Sequence, residues 1–125
     1  MDQSEKKELL SVIDSGWFTE ASKTKKFEKM FAKFTGSRFA CAVTSGTAGL
    51  YLGLNALGIK NNDEVIVPDF TFIASPNSIQ ANNAKPVLVD ITSDTLNLDT
   101  ELIEKELLER QKQLWLLISM VEQLI

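Results

Sequence analysis

Apolar residues recur along the chain with two different periods, and the change of period marks its elements. From Ser4 to Ser15, the residues Leu9, Leu10, Val12 and Ile13 stand at helical spacing, with Gly16 placed to stop the helix. Ser22 to Thr35 repeats the design: Phe27, Met30, Phe31 and Phe34 form an i, i+3, i+4, i+7 stripe, and Gly36 ends it. Such a stripe is expected to face a core or a subunit interface. Arg38 to Val43 reads as a short buried strand, and Thr44 to Gly46 as a turn. Thr47 to Leu57 reads as an apolar helix ending at Gly58, and Glu64 to Val67 as a second strand stopped by Pro68. Ala74 or Pro76 to about Asn82 is a short helix, and Pro86 to Asp90 a third strand. Asp99 is placed to cap one more helix, with Leu102 and Ile103 on its inner face. Strand, turn, helix, strand, helix, strand in this order predicts an α/β fold with a parallel sheet.

Composition narrows the chemistry. The chain has 125 residues, enough for one domain, and a net charge of −4 with acidic and basic residues interspersed. No basic stripe appears, which argues against nucleic acid as the main partner. No apolar run reaches the ~18 residues a membrane helix needs. The polar start Met1-Asp2-Gln3-Ser4-Glu5 has no apolar core of a secretory signal, so a cytoplasmic address is expected. The single cysteine, Cys41, excludes an internal disulfide and is expected to be a small buried hydrophobe. There is no histidine, which removes Ser–His and Cys–His nucleophile pairs, histidine-bearing zinc sites and imidazole acid–base catalysis. Chemistry must come from Lys, Asp, Glu, Ser, Thr, Tyr or a bound cofactor.

Thr44-Ser45-Gly46-Thr47-Ala48-Gly49 lies where a strand feeds a helix. There the first free N–H groups and the positive end of the helix dipole suit a phosphate, and Gly46 lets the backbone approach it. The same residues equally suit a plain helix cap, with Ser45 or Thr47 satisfying helix donors. The turn is neither G-x-x-x-x-G-K-[ST] nor G-x-G-x-x-G, so ATP-type and Rossmann readings lose their main support. Pro68-Asp69-Phe70-Thr71-Phe72 follows the second strand, at the carboxyl end where α/β proteins place ligands. An aromatic there can stack on a flat ring or pack into the core. Trp17 and Phe18 stand in a loop, where they either pack on a helix or line a pocket mouth.

These pieces occur together in a known order. Ser45-Gly46-Thr47-Ala48, Ala56-Leu57-Gly58-Ile59, Asp63-Glu64-Val65-Ile66-Val67-Pro68, Thr71-Phe72-Ile73-Ala74 and Ala84-Lys85-Pro86-Val87-Leu88-Val89-Asp90-Ile91 follow one another at matching spacing. The chain thereby resembles the N-terminal part of the DegT/DnrJ/EryC1/StrS sugar aminotransferases, pyridoxal 5′-phosphate (PLP) enzymes of the aspartate-aminotransferase fold. Gly16-Trp17 and Phe27-Glu28 fit the opening of that family. The resemblance implies an α/β large domain of the PLP-dependent transferase type, of which residues 1–104 are the N-terminal part. It implies that Thr47 and Ala48 hold the cofactor phosphate, that Ser45 and Gly46 shape the turn, and that Phe72 stacks on the pyridine ring. Gly16, Trp17 and Phe18 match a segment near the sugar pocket. The family transfers an amino group, usually from glutamate, to a keto group of a nucleotide-linked sugar, across a homodimer.

Residues 105–125 depart from the family. The aspartate that pairs with the pyridine nitrogen, the second phosphate-binding serine and the Schiff-base lysine have no counterpart; Lys60, Lys85 and Lys112 read as solvated charges. The dehydratase branch of the family uses a histidine that the chain lacks. The chain alone is therefore expected to be inactive and unable to attach the cofactor covalently through a family-type lysine. Leu114 to Ile125 is apolar apart from Ser119, Glu122 and Gln123, and reads as a buried or an exposed helix. Read one nucleotide earlier, Gln111 to Ile125 can encode a family-like segment, and Met120-Val121 must then contribute a glycine. A shift of reading frame near residues 104–111 is the expectation. The topology would then leave Arg38 to Val43 far from the other strands, with unpaired sheet edges. Two other readings stand beside this one: an interaction fragment that binds a full-length paralogue through the Phe27, Met30, Phe31 and Phe34 stripe, and a small phosphate-ligand-binding α/β domain.

Overall fold

The computed structural model describes residues 2–19, 22–110 and 114–116. In chain order the elements are α1 (Gln3–Ser15), α2 (Ser22–Thr35), α3 (Gly46–Ala56), β1 (Glu64–Pro68), α4 (Ala74–Ala81), β2 (Lys85–Val89), α5 (Thr100–Arg110) and β3 (Leu114–Leu116). They form two compact units, Met1–Ala42 and Val43–Ile125.

The first unit is built on α1 and α2. Asp2 caps α1 by accepting from the N–H groups of Ser4 and Glu5, and Glu5 returns the contact by accepting from the Asp2 N–H. Lys23 on α2 pairs with Glu8 on α1. Past Gly36 the Ser37 N–H donates to the Ala32 carbonyl, closing α2. Ala32 is the buried residue of α2, and Glu28 accepts the Ala42 N–H at 2.8 Å. The stripe of Phe27, Met30, Phe31 and Phe34 is 48–87% exposed, so in this chain it does not form a core.

Arg38 to Val43 is not a strand. A strand exists only where a neighbour takes its alternating N–H and C=O groups, and among the described residues this run has none beside it. Cys41 is accordingly exposed rather than buried, and the Arg38 guanidinium lies 5.7 Å from the centre of the Phe39 ring.

The second unit is the predicted α/β alternation. Its sheet has the order β2-β1-β3 with both pairings parallel. Ile66 stands opposite Val87, and Pro68 opposite Val89. Alternation along β1 splits the core into two layers. Val65 and Val67 pack with Leu54, Ile59, Ile79 and Ala84, the layer of α3 and α4. Ile66 packs with Val87 and Val89, and Leu98 and Ile103 cover them, which places α5 on the opposite face. Leu102, expected inside beside Ile103, is instead exposed. Asp99 caps α5 as predicted, accepting the Glu101 N–H at 2.9 Å.

The helix ends explain the spacing. Gly58 takes φ +83°, and the Ile59 N–H returns to the Leu54 carbonyl at 3.1 Å. That motif brings Ile59 onto Leu54 in the core, and a left-handed residue between them is what it requires. Asn83, at φ 59°, does the same for α4, with Ala84 bonded back to Ile79. β3 occupies the second side of β1, so β1 is an inner strand and not an edge. Residues 114–116 are thus strand where a helix was expected; the rest of the Leu114 to Ile125 run lies outside the described residues.

Candidate functional site

Two of the three candidate segments, the Ser45 to Ala48 turn and the loop bearing Phe72, lie in the second unit, and the third, Gly16 to Phe18, lies in the first. The C-terminal halves of α3 and α4 are side by side, because the Asn82 amide donates to the Tyr51 carbonyl at 3.2 Å. α3 leads into the start of β1, α4 departs from its end, and both cover the same face of the sheet, so the two helices run the same way with their N-termini toward the carboxyl end of β1. α4 begins six residues after β1 ends, so both N-termini stand at the carboxyl end of β1. With β2 on one side of β1 and β3 on the other, this is the point where the winding of the sheet reverses, the usual ligand crevice of an open α/β sheet.

Ser45 occupies the N-cap of α3 in extended geometry, φ −162° and ψ 163°. Its hydroxyl accepts the Ala48 N–H at 3.1 Å, and its carbonyl accepts the Gly49 N–H at 3.0 Å. The cap reading and the phosphate reading are thus compatible rather than alternative. The capping oxygen still carries a proton to donate, while the N–H groups of Gly46 and Thr47 and the Thr47 hydroxyl have no partner among the described residues. Ser45, Gly46 and Thr47 are exposed, and a side chain built at Gly46 would meet nothing within 4 Å. No acidic residue stands in the first turn of α3 to offset its positive end. Ala48 is half-buried and supplies the N–H that holds Ser45 in place.

Phe72 is 76% exposed in the loop between β1 and α4. That loop is tied at both ends. The Asp69 N–H donates to the Val89 carbonyl at 3.0 Å. The Phe72 carbonyl accepts the Ser75 N–H at 2.9 Å, and the Thr71 and Ser75 hydroxyls lie 3.2 Å apart. An exposed ring on an anchored loop beside free N–H donors fits a ligand with a phosphate at one end and a flat ring at the other. Pyridoxal phosphate has that form.

Gly16, Trp17 and Phe18 belong to the first unit. Gly16 at φ 65° ends α1, and the Trp17 N–H donates to the Ser15 hydroxyl at 3.2 Å. Trp17 and Phe18 are 61% and 71% exposed. Sequence reasoning overlooked a seam of small polar residues on α4: Ser75, Ser78 and Asn82 are all buried. Their spacing of three and four along a short helix places them on one face, and that was the available signal.

Comparison with known proteins identifies the family. The model of the DegT/DnrJ/EryC1/StrS aminotransferase family matches residues 1–118. An uncharacterised protein of Methanocaldococcus jannaschii is 46% identical over 110 residues, which are 88% of this chain and 28% of that protein. Among solved structures, a protein described as a sugar aminotransferase from Streptococcus pneumoniae, in its PLP form, is 37% identical with a TM-score of 0.78; the match covers 84% of this chain and 27% of that one. The GDP-4-keto-6-deoxy-D-mannose-3-dehydratase of E. coli, with bound hydrated PLP, is 34% identical with a TM-score of 0.79, over 84% of this chain and 28% of that one. The chain thus spans little more than a quarter of the length of these relatives. It has the α/β fold of the N-terminal part of the PLP-dependent sugar aminotransferases, and it belongs to the DegT/DnrJ/EryC1/StrS aminotransferase family.

Proposed function

We propose that this chain provides the phosphate- and ring-binding part of a PLP site in an enzyme that aminates nucleotide-linked keto sugars, with glutamate as amino donor. The observation that carries the reading is the shared end of the sheet: the free Gly46 and Thr47 N–H groups and the exposed Phe72 both stand at the carboxyl end of β1. Related structures support the substrate class, since one GDP-4-keto-6-deoxymannose-3-dehydratase variant was solved with bound GDP-perosamine. The cofactor, when bound, supplies an electron sink for reactions next to an amino group.

Each residue then has a physical role. The Gly46 and Thr47 N–H groups and the Ser45 and Thr47 hydroxyls donate to phosphate oxygens, helped by the α3 dipole. Ser45 keeps the turn open by holding the Ala48 N–H, and Gly46 leaves room for the phosphate. Phe72 stacks on the ring and shields one face from water. Gly16, Trp17 and Phe18 act on the sugar side of the same enzyme. No lysine of this sequence stands in the family's cofactor-attaching context. The chain alone therefore holds the cofactor without a covalent bond and does not turn over substrate.

Pyridoxamine 5′-phosphate is the suitable probe, because it has no aldehyde to react with surface lysines. Calorimetric titration should show binding of pyridoxamine 5′-phosphate and at least about tenfold weaker binding of pyridoxamine, which lacks the charge-assisted phosphate contacts. Equal affinity for the two would refute the assignment of the turn.

A further inference from the structure

We infer that Asn82 is a positioning residue that holds the α3 turn and the Phe72 loop in register, so that one ligand engages both. The inference rests on the cofactor-site reading above.

Phe72 moves with α4. Its carbonyl is bonded to the Ser75 N–H, and Thr71 beside it contacts the Ser75 hydroxyl. The phosphate turn moves with α3, since Ser45 is bonded to Ala48 and Gly49. The relative position of the two halves of the site is therefore the relative position of two helices. Apolar contacts between them, Leu54 with Ile79 in the shared core layer, resist separation but are not directional. A small slide costs them little.

Asn82 supplies the direction. Its amide donates to the Tyr51 carbonyl on α3 at 3.2 Å and to the Ser78 carbonyl on α4 at 2.9 Å. Its carbonyl oxygen accepts from the Asn55 amide on α3 at 3.4 Å. The residue is 6% exposed, so these bonds are not readily exchanged for water. Both amide protons and the oxygen are used, and two of the three bonds reach α3. Helices are stiff over such lengths, so a shift at Tyr51 appears undiminished at Gly46, about 7 Å away along the axis. A site that must meet phosphate and ring together is sensitive to displacements of about 1 Å.

A clamp of this kind makes a specific prediction. Loss of Asn82 should leave each half-site able to bind its own fragment and should reduce the advantage of a ligand that joins them. In the full chain, Asn82→Leu and Asn82→Asp are compared with the parent by calorimetric titration with inorganic phosphate, pyridoxamine and pyridoxamine 5′-phosphate. Asp keeps the size and the acceptor but donates nothing to the carbonyls of Tyr51 and Ser78. The expected result is binding of the two fragments within about twofold of the parent and pyridoxamine 5′-phosphate weakened about tenfold or more. Asn55→Ala, at an exposed position, removes one arm of the clamp while sparing the fold, and should give a smaller loss confined to the joined ligand. Unchanged affinity for pyridoxamine 5′-phosphate in these variants would overturn the inference. So would a loss shared equally by inorganic phosphate, which would mean that the turn itself was damaged. If the parent chain shows no preference for pyridoxamine 5′-phosphate over pyridoxamine, the cofactor-site reading fails, whatever Asn82 does.

Discussion

Two nearby hydroxyls at the start of α3 differ in what they do for the fold, and their effects on stability separate them. The Ser45 oxygen is an N-cap acceptor within the fold, whereas the Thr47 hydroxyl is exposed and makes no bond among the described residues. Ser45→Ala should therefore lower stability by about 1 kcal/mol, seen as a shifted urea midpoint. Thr47→Val should leave that midpoint in place and weaken pyridoxamine 5′-phosphate by about tenfold, the worth of one hydrogen bond to a charged group. Both hydroxyls were legible in the sequence, because a Ser and a Thr flanking Gly46 ahead of an apolar helix have few other uses. The burial of Cys41 was misread for an equally physical reason. Its apolar neighbours describe a strand, but burial of a strand residue depends on a partner strand that lies elsewhere in a sheet.

At the scale of elements, periodicity located α1 to α4, the start of α5 and the two main strands to within a residue or two, since local devices mark most of these limits. Gly16, Gly36 and Gly58 take positive φ where the pattern placed stops. Asn83 does the same at the end of α4, a stop the pattern did not mark. Core residues then set the energies. Ile79 is fully buried between α3 and the sheet, so Ile79→Ala should destabilise the second unit by about 2–5 kcal/mol in urea unfolding. Leu88, 60% exposed on the outer strand β2, should change stability by no more than about 0.5 kcal/mol when cut to alanine. In the first unit an ion pair links the two helices. The hydrogen bond and charge of Lys23 hold the Glu8 carboxyl below its ordinary pKa, with smaller help from Lys26 and Lys7. A lowered pKa means that the folded state favours the charged form. The link is present above the ordinary glutamate range and is lost as pH falls through the lowered value. Lys23→Gln should raise the Glu8 midpoint in an NMR titration; an unmoved midpoint would show that the pair does not persist in solution.

At the scale of the molecule, burial is distributed unusually. All seven phenylalanines are exposed, while valine, isoleucine and alanine make up most of the core. Aromatic side chains have the most to gain from burial, so their exposure marks surfaces that carry a large hydrophobic free energy. α2 shows this most strongly, with Phe34 at 87% exposure and five lysines against one glutamate on the same helix. Concentration-dependent association of the chain is the expected consequence, and sedimentation velocity should detect it. Phe31→Ser with Phe34→Ser should reduce it without loss of helical circular dichroism. The backbone nevertheless keeps the family geometry over 84% of its length, although it spans about a quarter of the related chains.

The sequence by itself determined what local chemistry controls: helix limits set by glycine and caps, the α/β alternation, the capped turn from Ser45 to Ala48, and the aromatic after the second strand. Only the tertiary structure decided which faces are covered, that residues 114–116 stand beside β1, and that Asn82 joins α3 to α4. The division has one cause. Caps, turns and periodicity depend on residues within a few positions of one another. Burial, strand pairing and a hydrogen bond across 31 positions depend on where the chain returns in space.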